Sequence, residues 1–335
     1  MTAPARFETS DDQFAPTEGL PPFMEGMTTY AVDPERRISV LLSIYKDIRC
    51  VTHSWQSVTV YFPHGRAALV LDHPSLETGS TLKSGALHYT QVEPFAQWRY
   101  SFEGRADYTR QEDTLKLGGG AREPGPLSCE IDIRCATPPW SPPSTVFAPR
   151  GGAESDVNLF GFYVQNHRFT GWVRDASGAR TELIGTGWRH HVRCPPWDRP
   201  VFGHSFIHVL FPSGRAFGLQ VAELVEGETS GFGYIFDGEA LHQCAVKSLT
   251  PWNRLIPRGE PVTAVLQREN GEVIEITGET LNNAALKNLG ERPVPADLSD
   301  PDGLLTVFGD TRWTWDGEIG HGTWERTKRV RGLRL

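Results

Sequence analysis

Apolar and polar residues alternate along most of the chain in runs of five to eight positions, and each run stops at Gly, Pro or Asp. The stretches "ISVLLSIYKD", "SVTVYFPHG", "AALVLDH", "ALHYTQVEP" and "QWRYSFEG" carry the pattern through the first half. In the second half it resumes in "NLFGFYVQNHRFTGWVRD", "ELIGTGWRHHVR", "SFIHVLFP", "AFGLQVAEL", "FGYIFD", "VTAVLQREN", "VIEITGET", "LTVFGDTRWTWDG" and "GHGTWERTKR". A period of two places successive side chains on opposite faces of a strand. The expected fold class is therefore all-β and antiparallel, with about fifteen or more strands closing into barrels or sandwiches to remove their edges. Helical spacing occurs only in "DGEALHQCAV" and "NNAALKNLG", which predict a few short helices.

Two stretches repeat each other. Residues 55–73 and 204–224 both read strand, Phe-Pro-x-Gly-Arg-Ala, strand, and Pro followed by Gly marks a tight hairpin. Each lies near the start of its half, which suggests a duplicated β-unit. Between the halves, "ATPPWSPPSTVFAPRGGAE" (136–154) is loaded with Pro and Gly and reads as an exposed connector or an aromatic-packed lid. The expected organisation is a domain over 1–150, with an extended arm over roughly its first thirty residues, and a second over 151–335 carrying the active site.

Composition narrows the class. Apolar residues make up 39% and charged residues 22%, as in a globular protein with a sizeable core. The chain has 33 basic and 41 acidic residues, a net charge of −8, which argues against nucleic acid as a partner. No apolar run reaches the roughly eighteen residues of a membrane span. The opening "MTAPARFETSDDQF" has no basic head leading into an apolar stretch, so no signal peptide is expected and the localisation reads as cytoplasmic. Five scattered cysteines without a CxxC pair read as reduced thiols.

The densest chemistry lies in "GTGWRHHVRCPPWDRP", residues 185–200. Gly185 and Gly187 lack the third glycine and the helix start of a phosphate loop, and are expected to let a strand bend or a neighbour approach closely. On a strand His190 and His191 point to opposite faces, and Arg189 shares the face of His191. An arginine beside a histidine disfavours the imidazolium and keeps a neutral ring available as a base. The bland alternative is a hydrogen-bonded structural histidine with an arginine bracing a carboxylate. His204 and His208 lie four apart on a strand, with no glutamate of a zinc helix between them, so no metal site is expected. No Gly-x-Ser-x-Gly elbow marks a serine hydrolase. Glu103, beside Trp98 and Tyr100, is a candidate acid whose bland reading is a strand-end residue before Gly104.

Three blocks resemble a known family. "VEPFAQWRYSFEG" is similar to the Pro-x-x-x-Trp-x-x-x-x-x-Gly strand of the carotenoid 1,2-hydratase and hydroxyneurosporene-synthase-like proteins. "VQNHRFTGWVRDASGARTELIGTGWRHHVR" resembles the segment in which their Gly-x-Gly strand leads to an Asp-His-Ser-Trp-Gly-x-Arg centre. "TRWTWDGEIGHGTWE" resembles their closing strand, and together the blocks span most of residues 90–326. The same broad superfamily holds terpene hydratases and cyclases of Diels–Alder type. The resemblance implies two consecutive lipocalin-like β-barrel or sandwich domains and cofactor-free chemistry on bulky apolar molecules. The chain departs from the family at its centre: His190 stands in the position of the acid, His191 keeps the histidine, and Val192-Arg193-Cys194 replaces the rest.

A missing acid disfavours protonation of an isolated alkene and favours base-initiated chemistry with arginine holding a developing oxyanion. The leading expectation is a cofactor-independent lyase or isomerase acting on a hydrophobic aromatic, terpenoid or steroid-like molecule. His191 is the expected acid/base, with His190 as the alternate, and Arg189 and Arg193 the groups that stabilise an oxygen anion. Tyr163, Gln165 and His208 are expected to bind substrate, and Trp98, Tyr100 and Trp188 to wall the cavity. No cofactor and no metal are expected, and a homodimer is compatible with this reading. The competing class is a lipocalin-like carrier of an apolar metabolite, although a mere carrier has no reason to bury clustered His and Arg.

Overall fold

The computed structural model describes residues 7–14, 24–47, 50–79, 81–115, 120–142, 161–194, 202–286 and 300–334. Eleven strands form a first sheet: β1 (Met24–Asp33), β2 (Ile38–Asp47), β3 (Cys50–Tyr61), β4 (Arg66–Asp72), β5 (Leu76–Glu77), β6 (Thr81–Ser84), β7 (Leu87–Glu93), β8 (Gln97–Arg110), β9 (Glu123–Cys135), β10 (Gly161–Arg174) and β11 (Arg180–Cys194). Nine form a second: β12 (Gly203–Leu210), β13 (Ala216–Val225), β14 (Glu228–Phe236), β15 (Leu241–Leu249), β16 (Pro261–Arg268), β17 (Val273–Thr280), β18 (Ala284–Leu286), β19 (Leu304–Trp315) and β20 (Glu318–Arg329). The fold is almost entirely β, as the alternation predicts, and lipocalin-like, as the resemblance implies.

In the second sheet the order β17-β16-β15-β14-β13-β12-β20-β19 is closed by pairing of β17 with β19, giving an eight-stranded barrel. Ile207, Leu219, Ile235, Ala264, Ile276, Val307, Trp313 and Trp324 fill its core. In the first sheet the order runs β4-β3-β2-β1-β11-β10-β9-β8-β7-β6-β5, and β4 also pairs with β8, which bends this sheet back on itself. Strand β9 shows how sequence makes these elements: Leu127, Cys129, Ile131 and Ile133 are buried, whereas the intervening residues through Arg134 are less so. Such alternation is stable only with one face against a core.

The expected domain boundary and the placement of the His191 strand are corrected. The chain divides into one unit of Met1–Val60, Ala68–Asp107 and Pro124–Asp198 and another of Tyr61–Ala67, Tyr108–Glu123 and Arg199–Leu335, so the expected boundary at 150 does not hold. Strands β10 and β11 follow residue 150 yet pair with β9 and β1, which places the His191 strand in the first unit. The described start of the Pro-rich connector is pinned to β10 through two Trp140–Val164 backbone bonds of 2.9 Å, with the Trp140 side chain buried; residues 143–154 lie outside the described residues.

The short helices are not found where the spacing placed them. "DGEALHQCAV" runs from a turn into β15 and "NNAAL" contains β18, because both sit beside strands whose backbone groups they satisfy. Residues 287–290 of the second stretch lie outside the described residues. Among the described residues the only helical elements are short 3-10 turns.

The repeated Phe-Pro-x-Gly-Arg-Ala stretches do form matching turns. Phe62 N donates to Arg66 O at 2.9 Å and Phe211 N to Arg215 O at 2.8 Å, with Gly65 and Gly214 at positive φ. The turns join different strands of their sheets, however: β3 to β4 in one and β12 to β13 in the other. The repetition is one of turn chemistry.

Candidate active site

Strand β11 departs from simple alternation, since every residue from Gly187 to His191 is buried. It runs between β1 and β10, with Arg189 opposite Thr29 and Gln165, His191 opposite Met27 and Tyr163, and Arg193 opposite Glu25 and Gly161. Gly185 and Gly187 have the expected role. A Cβ on Gly187 would lie 1.8 Å from Tyr30 O, and one on Gly185 would lie 2.0 Å from Val32 O, so only glycine lets β1 lie this close.

Arg189 stands at the centre of one cluster. Its Nη2 donates to Asp12 Oδ1 at 2.6 Å and to Tyr163 Oη at 3.0 Å, and its Nη1 donates to Gln165 Oε1 at 3.1 Å. The guanidinium also lies 4.8 Å from the Trp98 ring centre and 5.3 Å from that of Tyr163, both within cation–π range. Asp12 comes from a 3-10 turn, Thr9–Asp12, ahead of the first strand. Its other carboxylate oxygen, Oδ2, accepts from the Phe95 amide at 2.7 Å, Trp98 Nε1 at 3.0 Å and Gln91 Nε2 at 3.1 Å, and the Tyr163 hydroxyl donates to Oδ1. Burial pulls the Asp12 carboxyl up, but the Arg189 charge and these hydrogen bonds outweigh it and hold the group below its ordinary value. Burial pushes the Tyr163 phenol well up, so it stays protonated and donates.

His191 organises a second cluster on the same face. Its Nδ1 lies 2.8 Å from Asp11 O and its Nε2 lies 3.0 Å from Glu25 Oε1. A backbone carbonyl can only accept, so Nδ1 is a donor here, and the Nε2–Glu25 contact holds one proton between ring and carboxylate. Glu25 is fully buried and also faces Arg193 Nε at 2.9 Å and Lys46 Nζ at 3.1 Å. Three cationic or proton-bearing groups thus surround one carboxylate, which offsets the cost of burying it. The Phe14 ring stacks on His191 at 5.7 Å, and Tyr163 meets it edge-on at 5.8 Å.

The opposite face of β11 holds different chemistry. His190 Nε2 lies 3.3 Å from Tyr45 Oη, and its ring stacks on Trp188 at 5.4 Å. Tyr30 stacks on the other residue of that pair, Trp188. Neighbouring Thr28 bonds Ser43 at 3.0 Å and reaches Tyr45 at 3.4 Å. His190 and His191 therefore diverge as alternation requires, but both are buried.

The structure brings together six of the sequence-predicted residues: Arg189, His191, Arg193, Tyr163, Gln165 and Trp98. Tyr100 stacks on Trp98 at 6.3 Å and so stands behind that wall. Trp188 and His190 are directed away from the Arg189 cluster, and His208 lies in the second unit, 3.1 Å from Tyr234 Oη. Glu103 is exposed, as its bland reading has it. Asp12, Glu25 and Lys46 were not foreseen. For Glu25 a signal existed: a carboxylate at an alternate position of the apolar run "MEGMTTYAV", in phase with Met27 and Thr29. Asp12 carries no such signal in "ETSDDQF". A further histidine, His167, is buried against Thr29 Oγ1 at 3.2 Å, and burial pushes it down to about 3, which keeps it neutral.

Among the described residues no group of three or more His, Cys, Asp and Glu side chains is placed to hold a metal, and no helix is long and apolar enough to cross a membrane. Cys129, Cys135 and Cys244 are free thiols.

Comparison with solved structures finds a protein of Nitrosomonas europaea, provisionally named AttH, at a TM-score of 0.61 and 14% identity, covering 92% of this chain and 93% of that one. At this identity the likeness is one of fold. No curated protein matches. A family model described as a domain of unknown function (DUF7064) matches residues 9–330, a span that takes in both Asp12 and the last strand, β20. The chain belongs to the DUF7064 family.

Proposed function

We propose that the protein is a cofactor-independent lyase or isomerase that moves a proton on a hydrophobic, oxygen-bearing small molecule at His191. The observation that carries this reading is the geometry of that ring: Nε2 is held at 3.0 Å by the buried Glu25 carboxylate while Nδ1 is presented to an oxygen at 2.8 Å. In this arrangement Nδ1–H is an acid toward a substrate oxygen seated where Asp11 O now lies. Once that proton is given up, the ring remains in the Nε2–H tautomer, donating to Glu25, and Nδ1 is the base that takes a proton back. Arg189 and the Tyr163 hydroxyl, on the same face, supply positive charge and a donor for a developing oxyanion. Trp98, Tyr163 and Phe95 provide apolar walls suited to an aromatic or terpenoid body. The resemblance of residues 90–326 to the carotenoid-hydratase-like proteins supports the same class, and the lipocalin-like fold accords with it.

The test is incubation with a panel of aromatic, terpenoid and steroid ketones, followed by mass spectrometry and NMR. Turnover by the natural chain and its loss in a folded His191→Ala variant are expected. Tight stoichiometric binding without chemical change across the panel would instead establish a carrier.

A further inference from the structure

We propose that the Arg189 cluster is a binding site for an organic carboxylate with an aromatic body, and that Asp12 occupies this site in the absence of such a ligand. As a statement of substrate class the proposal rests on the His191 reading, but the binding itself requires no turnover.

The donors that converge on Asp12 belong to the sheet and its turns: Arg189 on β11, Tyr163 on β10, Trp98 on β8, Gln91 on β7, and the Phe95 amide between β7 and β8. Their acceptor comes from outside the sheet, on a segment that precedes β1. Arg189 is held without help from that segment. Gln165 Oε1 accepts from its Nη1, and Gln165 Nε2 is itself fixed by Phe95 O at 2.9 Å and Thr137 O at 3.1 Å. The rings of Trp98 and Tyr163 keep the guanidinium plane in place. Removing Asp12 therefore leaves a preorganised, desolvated guanidinium and a phenol aimed at the place of one carboxylate oxygen and an indole N–H aimed at the place of the other, which is a carboxylate receptor.

The barrel of the second unit shows what a purely structural version looks like. Arg326 is likewise buried, 4.2 Å from the Trp324 ring centre and 5.3 Å from that of Trp252. Its partners, Glu260 and Asn283, come from connections between that barrel's own strands. Arg326 is closed by the barrel that carries it, and Arg189 is not.

The residues flanking Asp12 indicate the rest of the ligand. Phe7 packs against Phe95 at 5.9 Å and Tyr163 at 5.4 Å, and Phe14 stacks on His191. The segment thus sets phenyl rings on either side of a carboxylate, with the Asp11 carbonyl oxygen at His191 Nδ1. A ligand that displaces it would carry a carboxylate for Arg189, an aromatic body for those walls and a second oxygen for His191.

Calorimetric titration of the full chain with phenylacetate, and with 2-phenylethanol as the uncharged control, tests the assignment. An Asp12→Ala variant is expected to bind phenylacetate at least tenfold more tightly than the natural chain, with no such gain for 2-phenylethanol. The gain should vanish in Asp12→Ala/Arg189→Gln and persist in Asp12→Ala/His191→Ala. A Phe7→Ala/Phe14→Ala variant, which loosens the segment and leaves every donor intact, should also gain affinity, and it carries the test if Asp12→Ala does not fold. Folded variants that bind phenylacetate no better than the natural chain would overturn the proposal, as would an equal gain for the alcohol. If neither variant folds, the segment is a fixed part of the fold and the proposal falls as well. Carboxylate binding without turnover on any substrate would sink the proton-transfer reading and leave this site standing.

Discussion

Arg189 Nη2 and Asp12 Oδ1 lie 2.6 Å apart and 177 positions apart in sequence, and both side chains are buried. The pair ties the segment ahead of β1 to the last strand of the first sheet. Replacing Arg189 by Leu strands a buried carboxylate and should cost about 3–5 kcal/mol in urea unfolding. The double variant Arg189→Leu/Asp12→Leu should recover most of that loss. Equal instability of the single and double variants would show that the pair matters for shape alone.

The depressed Asp12 carboxyl predicts an acid-labile fold. Below the ordinary carboxylate value of about 3.9 the unfolded chain takes up a proton that the folded chain refuses, so stability drops as pH falls through that value and below. The contribution is fully present above about pH 5. In Asp12→Asn this component should be absent, giving a flatter stability profile between about pH 5 and 2 in denaturant titrations. Parallel profiles for the two proteins would contradict the assignment.

Glu25→Gln keeps the shape of the side chain and removes the charge that Lys46, Arg193 and His191 share. With Lys46 left buried at 4% exposure, a loss of about 3 kcal/mol is expected by thermal or urea unfolding. Where turnover is measurable, kcat should fall by about 10²–10⁴, the usual worth of a positioned acid–base pair. Unchanged kcat would remove Glu25 from the proton pathway.

His190 and His191 give opposite expectations because they lie on opposite faces of β11. His190→Asn breaks a bond to Tyr45 and a stack on Trp188, which should cost about 1–2 kcal/mol and leave turnover near normal. Activity that depended on His190 and survived His191→Ala would transfer the chemistry to the Tyr45 side of the strand.

Gly187→Ala forces a methyl group to within 1.8 Å of Tyr30 O, so β1 must move away from β11. An unfolding cost above about 3 kcal/mol is expected, outside the usual range for a glycine-to-alanine change. By contrast, Ser177→Ala, in the exposed turn between β10 and β11, should stay within about 0.5 kcal/mol.

Strands and their faces follow from alternation because period two is a local property: Arg189 with His191, and His190 apart from them, can be read within five residues. The domain boundary could not be read this way. Pro and Gly between 136 and 154 signal a break in regular structure, but which sheet receives β10 is decided by pairing with β9 and β1. The stretch "DGEALHQCAV" has helical spacing, yet strand β14 offers it a ladder that an isolated helical turn cannot match. Asp12 escaped notice for the same reason, and Glu25, although out of place in an apolar run, has no role that is legible locally. Their meaning depends on His191 and Arg189, which lie more than 160 positions away.

The pairing of β1 with β11 also bears on how the chain is made. Met24 opposes Cys194, so β1 leaves the ribosome about 170 residues before its partner, a wait of roughly 10–35 s at ordinary synthesis rates. Throughout that interval the first sheet has β2 on one side of β1 and an open edge on the other, exposing unpaired amides and carbonyls to other nascent chains. The buried Glu25 lies on that edge strand paired with Lys46 of β2, and its cluster is completed only when β11 brings His191 and Arg193.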